Sequence, residues 1–368
     1  MKNGRGNMVR RHLLLLSLSL VLACRIPARA EGGDADTLRL YQEYQERFAS
    51  VEHVWELDAC GYEVLEEQIF PVALESFGEE ELTLVPAMER RFHRLAVFFA
   101  DRRGNILYRY NQLETNNCIP GQLEQPVENL LSVAFADVNH DQRTDIILIT
   151  GCVNEAGDYA GIPYKVGDVM FQGEQNFYRD WRISDKINRF SMNKSANYII
   201  SFVRDGESAE FLYTATTLSE LLEHGFQIAE DQHYTRDFEK LGRLQVVPGT
   251  VKISAYNIFM VYLVNEQGNI VWSFQPMGDY DNLYSLRGIQ GRDLDGDGMK
   301  DLVVLARYSI ETGDGEALIE NRCAVYYQRT GGFDVDTEFE NYYQCKEEDT
   351  MEEIIRKIRE YWGWQAEE

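Results

Sequence analysis

The sequence predicts a mainly β fold with a few flanking helices, arranged as two tandem, diverged copies of one β-rich unit. Three observations support this. A long series of residues recurs at a nearly constant offset, apolar runs are short and rich in aromatic and β-branched residues, and glycine-containing turns separate those runs.

The repeat is the strongest of the three. Gly61-Tyr62-Glu63-Val64, Gln68, Glu75 and Phe77-Gly78 match Gly225-Phe226-Gln227-Ile228, Gln232, Glu239 and Leu241-Gly242 at an offset of 164. The run Leu95 to Ala100 followed by Gly104-Asn105-Ile106 matches Phe259 to Val264 followed by Gly268-Asn269-Ile270. Further on the offset is 156, where Asp137, Asn139, Asp141 and Asp145 fall on Asp293, Asp295, Asp297 and Asp301, and Phe171-Gln172 falls on Tyr327-Gln328. The expected units are residues 31–206, with an acidic loop at 137–145, and residues 207–368, with an acidic loop at 293–301.

Each unit opens on a helix, at Leu38 to Phe48 and at Leu218 to Glu223. Short strands follow, joined by tight turns at Gly104-Asn105 and Gly268-Asn269, because Gly and Asn accept positive φ. A strand enters each acidic loop and another leaves it. A third covers Val166 to Gln172 or Ala324 to Gln328. Each unit closes on a helix with a hydroxyl N-cap, Ser195 or Thr350. The last helix, Met351 to Trp362, carries Ile354, Ile355, Ile358 and Tyr361 as one apolar stripe, which is expected to pack on its own unit.

The acidic loops carry the chemistry. Asp293, Asp295, Asp297 and Asp301 stand at the first, third, fifth and ninth positions, with the carbonyl of Met299 at the seventh, an oxygen set suited to a hard cation that takes six to eight ligands. The first loop offers Asp137, Asn139, Asp141 and Asp145 with the carbonyl of Arg143. It lacks the glycine that Gly298 supplies and has one charge fewer. His140 is expected to face solvent. The cofactor expected in both loops is Ca2+. An EF-hand does not fit, because Leu148 and Val304 stand where its bidentate glutamate belongs, and the residues after each loop favour a strand.

The pattern D-x-[DN]-x-D-x-x-x-D between two strands resembles the FG-GAP or VCBS repeat of integrin-α-like proteins. That resemblance implies β-propeller-related blades, extracellular calcium-stabilised structure, and adhesion or ligand binding. Only two such loops occur, 156 residues apart, which argues against a closed seven-bladed ring.

Composition places the chain outside the cytoplasm. The first 30 residues hold six of the 36 Lys and Arg and no acid, and the apolar run Leu13 to Ala23 is too short to span a bilayer, so residues 1–30 read as a signal peptide. Ala28-Arg29-Ala30 suits cleavage after Ala30, while Val21-Leu22-Ala23-Cys24 is a looser lipoprotein box that would place a lipid anchor on Cys24. The remaining chain holds 30 basic and 61 acidic residues, a net charge of −31 that repels nucleic acid and anionic membranes. A composition of 44% hydrophobic and 12% aromatic residues excludes disorder. No later segment is apolar enough for a transmembrane helix.

Five cysteines follow the signal segment, at 60, 118, 152, 323 and 345, and short separation favours pairing Cys323 with Cys345. The five histidines in the same span show no zinc spacing, and no nucleophile elbow, phosphate loop or dinucleotide fingerprint occurs. The reading that follows is an exported, calcium-binding, non-catalytic binding or adhesion module, secreted or associated with the cell envelope, whose partner is an extracellular glycan or protein. The alternatives are a structural or assembly component of the envelope and a glycan-active hydrolase built on a carboxylate pair.

Overall fold

A computed structural model describes residues 33–78, 81–116, 127–154, 161, 163–274, 277, 282–311 and 317–364. The signal segment, Cys24 and Cys118 lie outside the described residues.

The described residues form four antiparallel sheets and seven α-helices. Helix α1 (Gly33–Ser50) precedes sheet I, in which β1 (Tyr62–Val64) and β2 (Phe70–Val72) both pair with β3 (Leu82–Glu89), followed by β4 (Arg94–Ala100) and β5 (Ile106–Tyr110). Sheet II is the meander β6 (Val127–Ala136), β7 (Asp145–Val153), β8 (Pro163–Gln172) and β9 (Phe177–Tyr178), and it leads into α2 (Trp181–Arg189) and α3 (Ala196–Asp205).

The second half repeats this order. Helices α4 (Glu210–Thr214) and α5 (Leu218–Glu223) precede sheet III. There β10 (Gln227–Ile228) and β11 (Tyr234–Phe238) pair with β12 (Gly242–Ile253), followed by β13 (Tyr256–Val264) and β14 (Ile270–Ser273). Sheet IV is β15 (Asn282–Arg292), β16 (Asp301–Glu311), β17 (Ala317–Arg329) and β18 (Gly332–Val335), closed by α6 (Thr337–Tyr342) and α7 (Met351–Trp362).

The correspondence reaches single hydrogen bonds. Asp101 Oδ1 accepts the amides of Arg103 and Asn105, as Asn265 Oδ1 accepts those of Gln267 and Asn269, and Gly104 and Gly268 both take φ of +82°. Isolated bridges join His53 to Asn105 and Thr217 to Asn269. Ser195 Oγ caps α3 through the Tyr198 amide, and Thr350 Oγ1 caps α7 through that of Glu353.

Burial explains why the central strands read as unbroken apolar runs. On β4, Leu95, Val97 and Phe99 face sheet II, while Ala96 and Phe98 face α1. On β7, Ile146 and Leu148 face sheet I, and Ile147 and Ile149 face α2 and α3. Strand β16 likewise turns Leu302, Val304 and Ala306 toward sheet III and Val303 and Leu305 toward α6 and α7. With both faces covered, the period-two alternation of a half-exposed strand disappears. Each of the buried Val, Leu, Ile and Phe side chains contributes about 1.5–3 kcal/mol by leaving water.

The layers run α1, sheet I, sheet II, α2 to α5, sheet III, sheet IV, then α6 and α7. Phe202 of α3 packs into the cores on both sides of the middle helical layer, and Ser201 Oγ lies 3.0 Å from Ser254 Oγ. Helix α3 therefore packs on both halves, whereas α7 packs on its own. The meanders are four-stranded like propeller blades, but helices separate sheet II from sheet III, so the four sheets do not close a ring.

Strand β8 begins at Pro163 rather than Val166, and three further details differ from the sequence reading. Helix α1 begins at Gly33 rather than Leu38, its first turn lying ahead of the apolar positions that marked the helix in the sequence. Strand β17 begins at Ala317 rather than Ala324, because its charged outer end still pairs with β16. Cys323 and Cys345 are both free thiols. Among the described residues, no helix is long and apolar enough to cross a membrane.

Candidate metal centre

The second acidic loop links β15 to β16, which pair up to Arg292 and Asp301. Its carboxylates first fold the loop itself. Asp293 accepts the Gly296 amide on Oδ1 at 2.8 Å and the Gly298 amide on Oδ2 at 2.9 Å. Asp295 Oδ1 accepts the Asp297 amide at 3.2 Å, and Asp297 Oδ1 accepts that of Met299 at 2.8 Å. Gly296 and Gly298 take φ of +78° and +82°, where a side chain would be strained. These turns bring Asp293, Asp295 and Asp297 together, each with one carboxylate oxygen within 4.8 Å of the others.

Asp301, read from its spacing as a fourth ligand, is not part of that group. It is fully buried, its Oδ2 accepting the Leu294 amide at 2.8 Å and its Oδ1 the Gln328 amide at 2.9 Å. Burial pushes its carboxyl up to about 7, against the pull of those two amides. Asp301 thus ties the loop to β17. Asp297 is also raised, first by burial and then by Asp295 and Asp293, with the Met299 amide and Arg329 acting the other way.

A guanidinium enters the acidic group. Arg329 Nη1 lies 3.1 Å from Asp295 Oδ2 and 3.5 Å from Asp297 Oδ2, and the same guanidinium lies over the Tyr327 ring at 5.1 Å. Helix α7 supports the loop from behind, where Arg359 Nη2 donates to the Asp293 carbonyl at 2.8 Å.

The first loop, between β6 and β7, has a similar frame with a weaker donor set. Asp137 accepts the amides of Asp141 and Gln142, Asp141 Oδ1 accepts that of Arg143, and Asp145 is buried with its oxygens on the Val138 and Gln172 amides. Asn139 replaces the middle carboxylate and donates its Nδ2 to Asp141 Oδ2 at 3.3 Å. Arg143 Nη1 lies 3.7 Å from the same oxygen. Gln142 takes φ of +65°, the conformation that Gly298 adopts without a side chain, and His140 takes +62°. His140 is exposed, as expected, and its Nε2 lies 3.3 Å from the Arg204 carbonyl at the end of α3.

The sequence reading did not assign a role to two glutamates. Glu75 Oε2 accepts the Thr144 amide at 2.9 Å and Oε1 accepts the Thr144 hydroxyl at 3.0 Å, while Gln172 Nε2 donates to Glu75 Oε2 at 3.1 Å. At the matching place Glu239 Oε2 accepts the Lys300 amide at 2.9 Å, and the Lys300 ammonium meets Oε1. Each glutamate joins the first sheet of its half to the eighth residue of the acidic loop. Burial opposes the ionisation of both, yet these donors hold their carboxyls below the usual range. Their match at offset 164 was the available signal.

The second loop passes a donor test for a hard divalent cation. Three carboxylates converge without sulfur or imidazole, and the Met299 carbonyl stands at the seventh position. The first loop offers two carboxylates and an amide at the matching positions, with Asn139 Nδ2 bonded to Asp141 and the Asp141 amide bonded to Asp137 and Asn139.

No protein-family model matches the chain, and no curated protein matches it. Among solved structures, the exotype rhamnogalacturonan lyase YesX is similar over 74% of this chain and 48% of its own, at 10% identity and a TM-score of 0.21. The chain thus spans about half the length of that protein, and a likeness at this score carries no argument about activity.

Proposed function

We propose that the chain is an exported, calcium-binding, non-catalytic binding or adhesion module of the cell envelope or extracellular space. The carrying observation is the convergence of Asp293, Asp295 and Asp297 within 4.8 Å. Three carboxylates so close repel one another, and Arg329 offsets only one of the charges. A divalent cation would complete the neutralisation. The D-x-[DN]-x-D loops, similar to those of FG-GAP or VCBS repeats, and the signal-like first 30 residues support an extracellular role.

In this reading Asp293, Asp295, Asp297 and the Met299 carbonyl hold Ca2+ in the second loop. Asp137, Asn139, Asp141 and the Arg143 carbonyl hold it more weakly in the first. Asp301 and Asp145 orient the loops from behind. Ca2+ bound only by the folded chain adds about 2.7 kcal/mol of stability at one hundred times its dissociation constant. The protein, stripped with EDTA and titrated with Ca2+ by calorimetry, is expected to bind and to gain melting temperature. Absence of both heat and stabilisation would overturn the calcium assignment. A glycan and peptide array probed with and without Ca2+ tests the binding role, and a pattern without any calcium-dependent signal would count against it.

A further inference from the structure

We propose that Cys323 and Cys345 are a redox-active thiol pair that closes into a disulfide when the folded protein meets a small-molecule disulfide oxidant. The inference is independent of whether the acidic loops take up calcium.

Cys323 lies on β17 opposite Leu305 of β16, on the face of sheet IV covered by α6 and α7. Cys345 lies between those helices and packs into the same core. Both are thiols, and their side chains are hydrogen-bonded to each other. Contacts beside each cysteine fix the approach. Asn321 Nδ2, two residues before Cys323, donates to the Lys346 carbonyl at 2.7 Å, next to Cys345. The connector is held further by Arg287 Nη1 on the Glu347 carbonyl at 2.8 Å and by Asp349 Oδ2, which accepts the Lys346 amide at 2.7 Å and the Tyr343 hydroxyl at 3.0 Å. The bond would form between chain segments already in place.

The two thiols differ in access. Cys323 is buried, whereas Cys345 is half-buried. The Cys345 thiolate attacks one sulfur of glutathione disulfide, releasing a glutathione thiolate and leaving a mixed disulfide. Cys323 then gives up its proton to solvent, and its thiolate attacks Cys345 Sγ, expelling the second glutathione thiolate. The protein loses two electrons and two protons. One glutathione disulfide gains the two electrons and becomes two thiols. The contact with Cys345 and burial both raise Cys323 well above the usual thiol range, so it begins as the protonated, resolving thiol of the pair.

The bridge would join the centre of sheet IV to the connector that leads into α7, the helix whose Arg359 supports the Asp293 carbonyl. It would close a loop of 22 residue steps, which restricts the unfolded chain.

The test uses the full chain, reduced with dithiothreitol, desalted and incubated with glutathione disulfide. Intact mass is expected to fall by two hydrogen atoms, peptide mapping without reductant is expected to join the Cys323 and Cys345 peptides, and the melting temperature is expected to rise by roughly 3–8 °C and return with dithiothreitol. Cys345→Ser is expected to lose the dithiothreitol-sensitive rise. Should that variant not fold, the peptide map of the unsubstituted chain decides alone. The proposal is overturned if both cysteines stay alkylatable after oxidation, carry glutathione, or are joined to other cysteines.

Discussion

Arg329 places a guanidinium nitrogen 3.1 Å from Asp295 Oδ2, so the second acidic loop already holds a cation drawn from the chain itself. A divalent ion entering there must compete with it. Arg329 is 38% exposed, so the pair is partly screened and contributes at most about 1 kcal/mol. Arg329→Gln is therefore expected to tighten Ca2+ binding roughly two- to fivefold in calorimetric titration. Unchanged or weaker binding would show that Arg329 does not compete for the carboxylates.

The two loops are expected to differ in affinity, the second being the tighter by about tenfold or more. Asn139 supplies an amide where Asp295 supplies a charge, and Gln142 holds φ of +65° where Gly298 holds +82°. Asp297→Ala should abolish the tighter calorimetric phase and Asp141→Ala the weaker one. The reverse assignment would refute the ranking.

Strain at Gln142 gives a separate expectation that involves no metal. A left-handed residue with a Cβ costs roughly 1 kcal/mol relative to glycine, part of which returns through the greater freedom of glycine in the unfolded chain. Gln142→Gly should raise unfolding free energy by up to about 1 kcal/mol in EDTA, read from urea denaturation. A loss of stability would mean that the Gln142 side chain makes a compensating contact.

Glu75 accepts two donors from Thr144 and one from Gln172. Removing it frees two exposed Thr144 donors, which water can satisfy, and one of the two bonds made by the buried Gln172 amide, so Glu75→Ala should cost about 0.5–1.5 kcal/mol. Glu239→Ala should cost the same order, and its Ca2+ affinity should fall as well, because the Lys300 amide is released one residue from Met299. Wild-type stability in Glu75→Ala would remove the glutamate link from the account of the loops.

Stability of the chelated protein should decrease between about pH 5 and pH 8. Burial pushes Asp168 up to about 7, against Arg179 and the Glu114 amide, and pushes Glu340 up to about 8, against the Val325 amide. A carboxyl raised in the folded state holds a proton there that the unfolded chain has lost above about pH 4. Each group therefore removes on the order of 1.4 kcal/mol per pH unit as pH climbs toward its folded value. Asp168→Asn should reduce the slope below about pH 7 and leave the share contributed by Asp301, which burial also pushes up to about 7. A slope that survives this substitution intact would place the titration elsewhere.

The sequence by itself determined the β class, the matched positions of the two halves and the turn chemistry of the acidic loops. These are local or periodic properties. A backbone that needs positive φ selects glycine at 104, 268, 296 and 298, and a central strand covered on both faces becomes an apolar run such as Leu95 to Ala100. Glu75 and Glu239 were visible as matched residues without a role, because their partners, Thr144 and Lys300, are distant in sequence.

Only the tertiary structure decided which members of the spacing pattern converge. Asp301 fits the ninth ligand position by sequence, yet strand β17 presents the Gln328 amide to it and β16 carries it into the interior. The layer order was also invisible, since an apolar stripe on α3 does not reveal that Phe202 will touch two cores. Arg329 and Arg359 follow the same rule. Their charges are evident in the sequence, but proximity to Asp295 and to the Asp293 carbonyl arises from how β17 and α7 pack, and electrostatic interactions depend on distance in space rather than on separation along the chain.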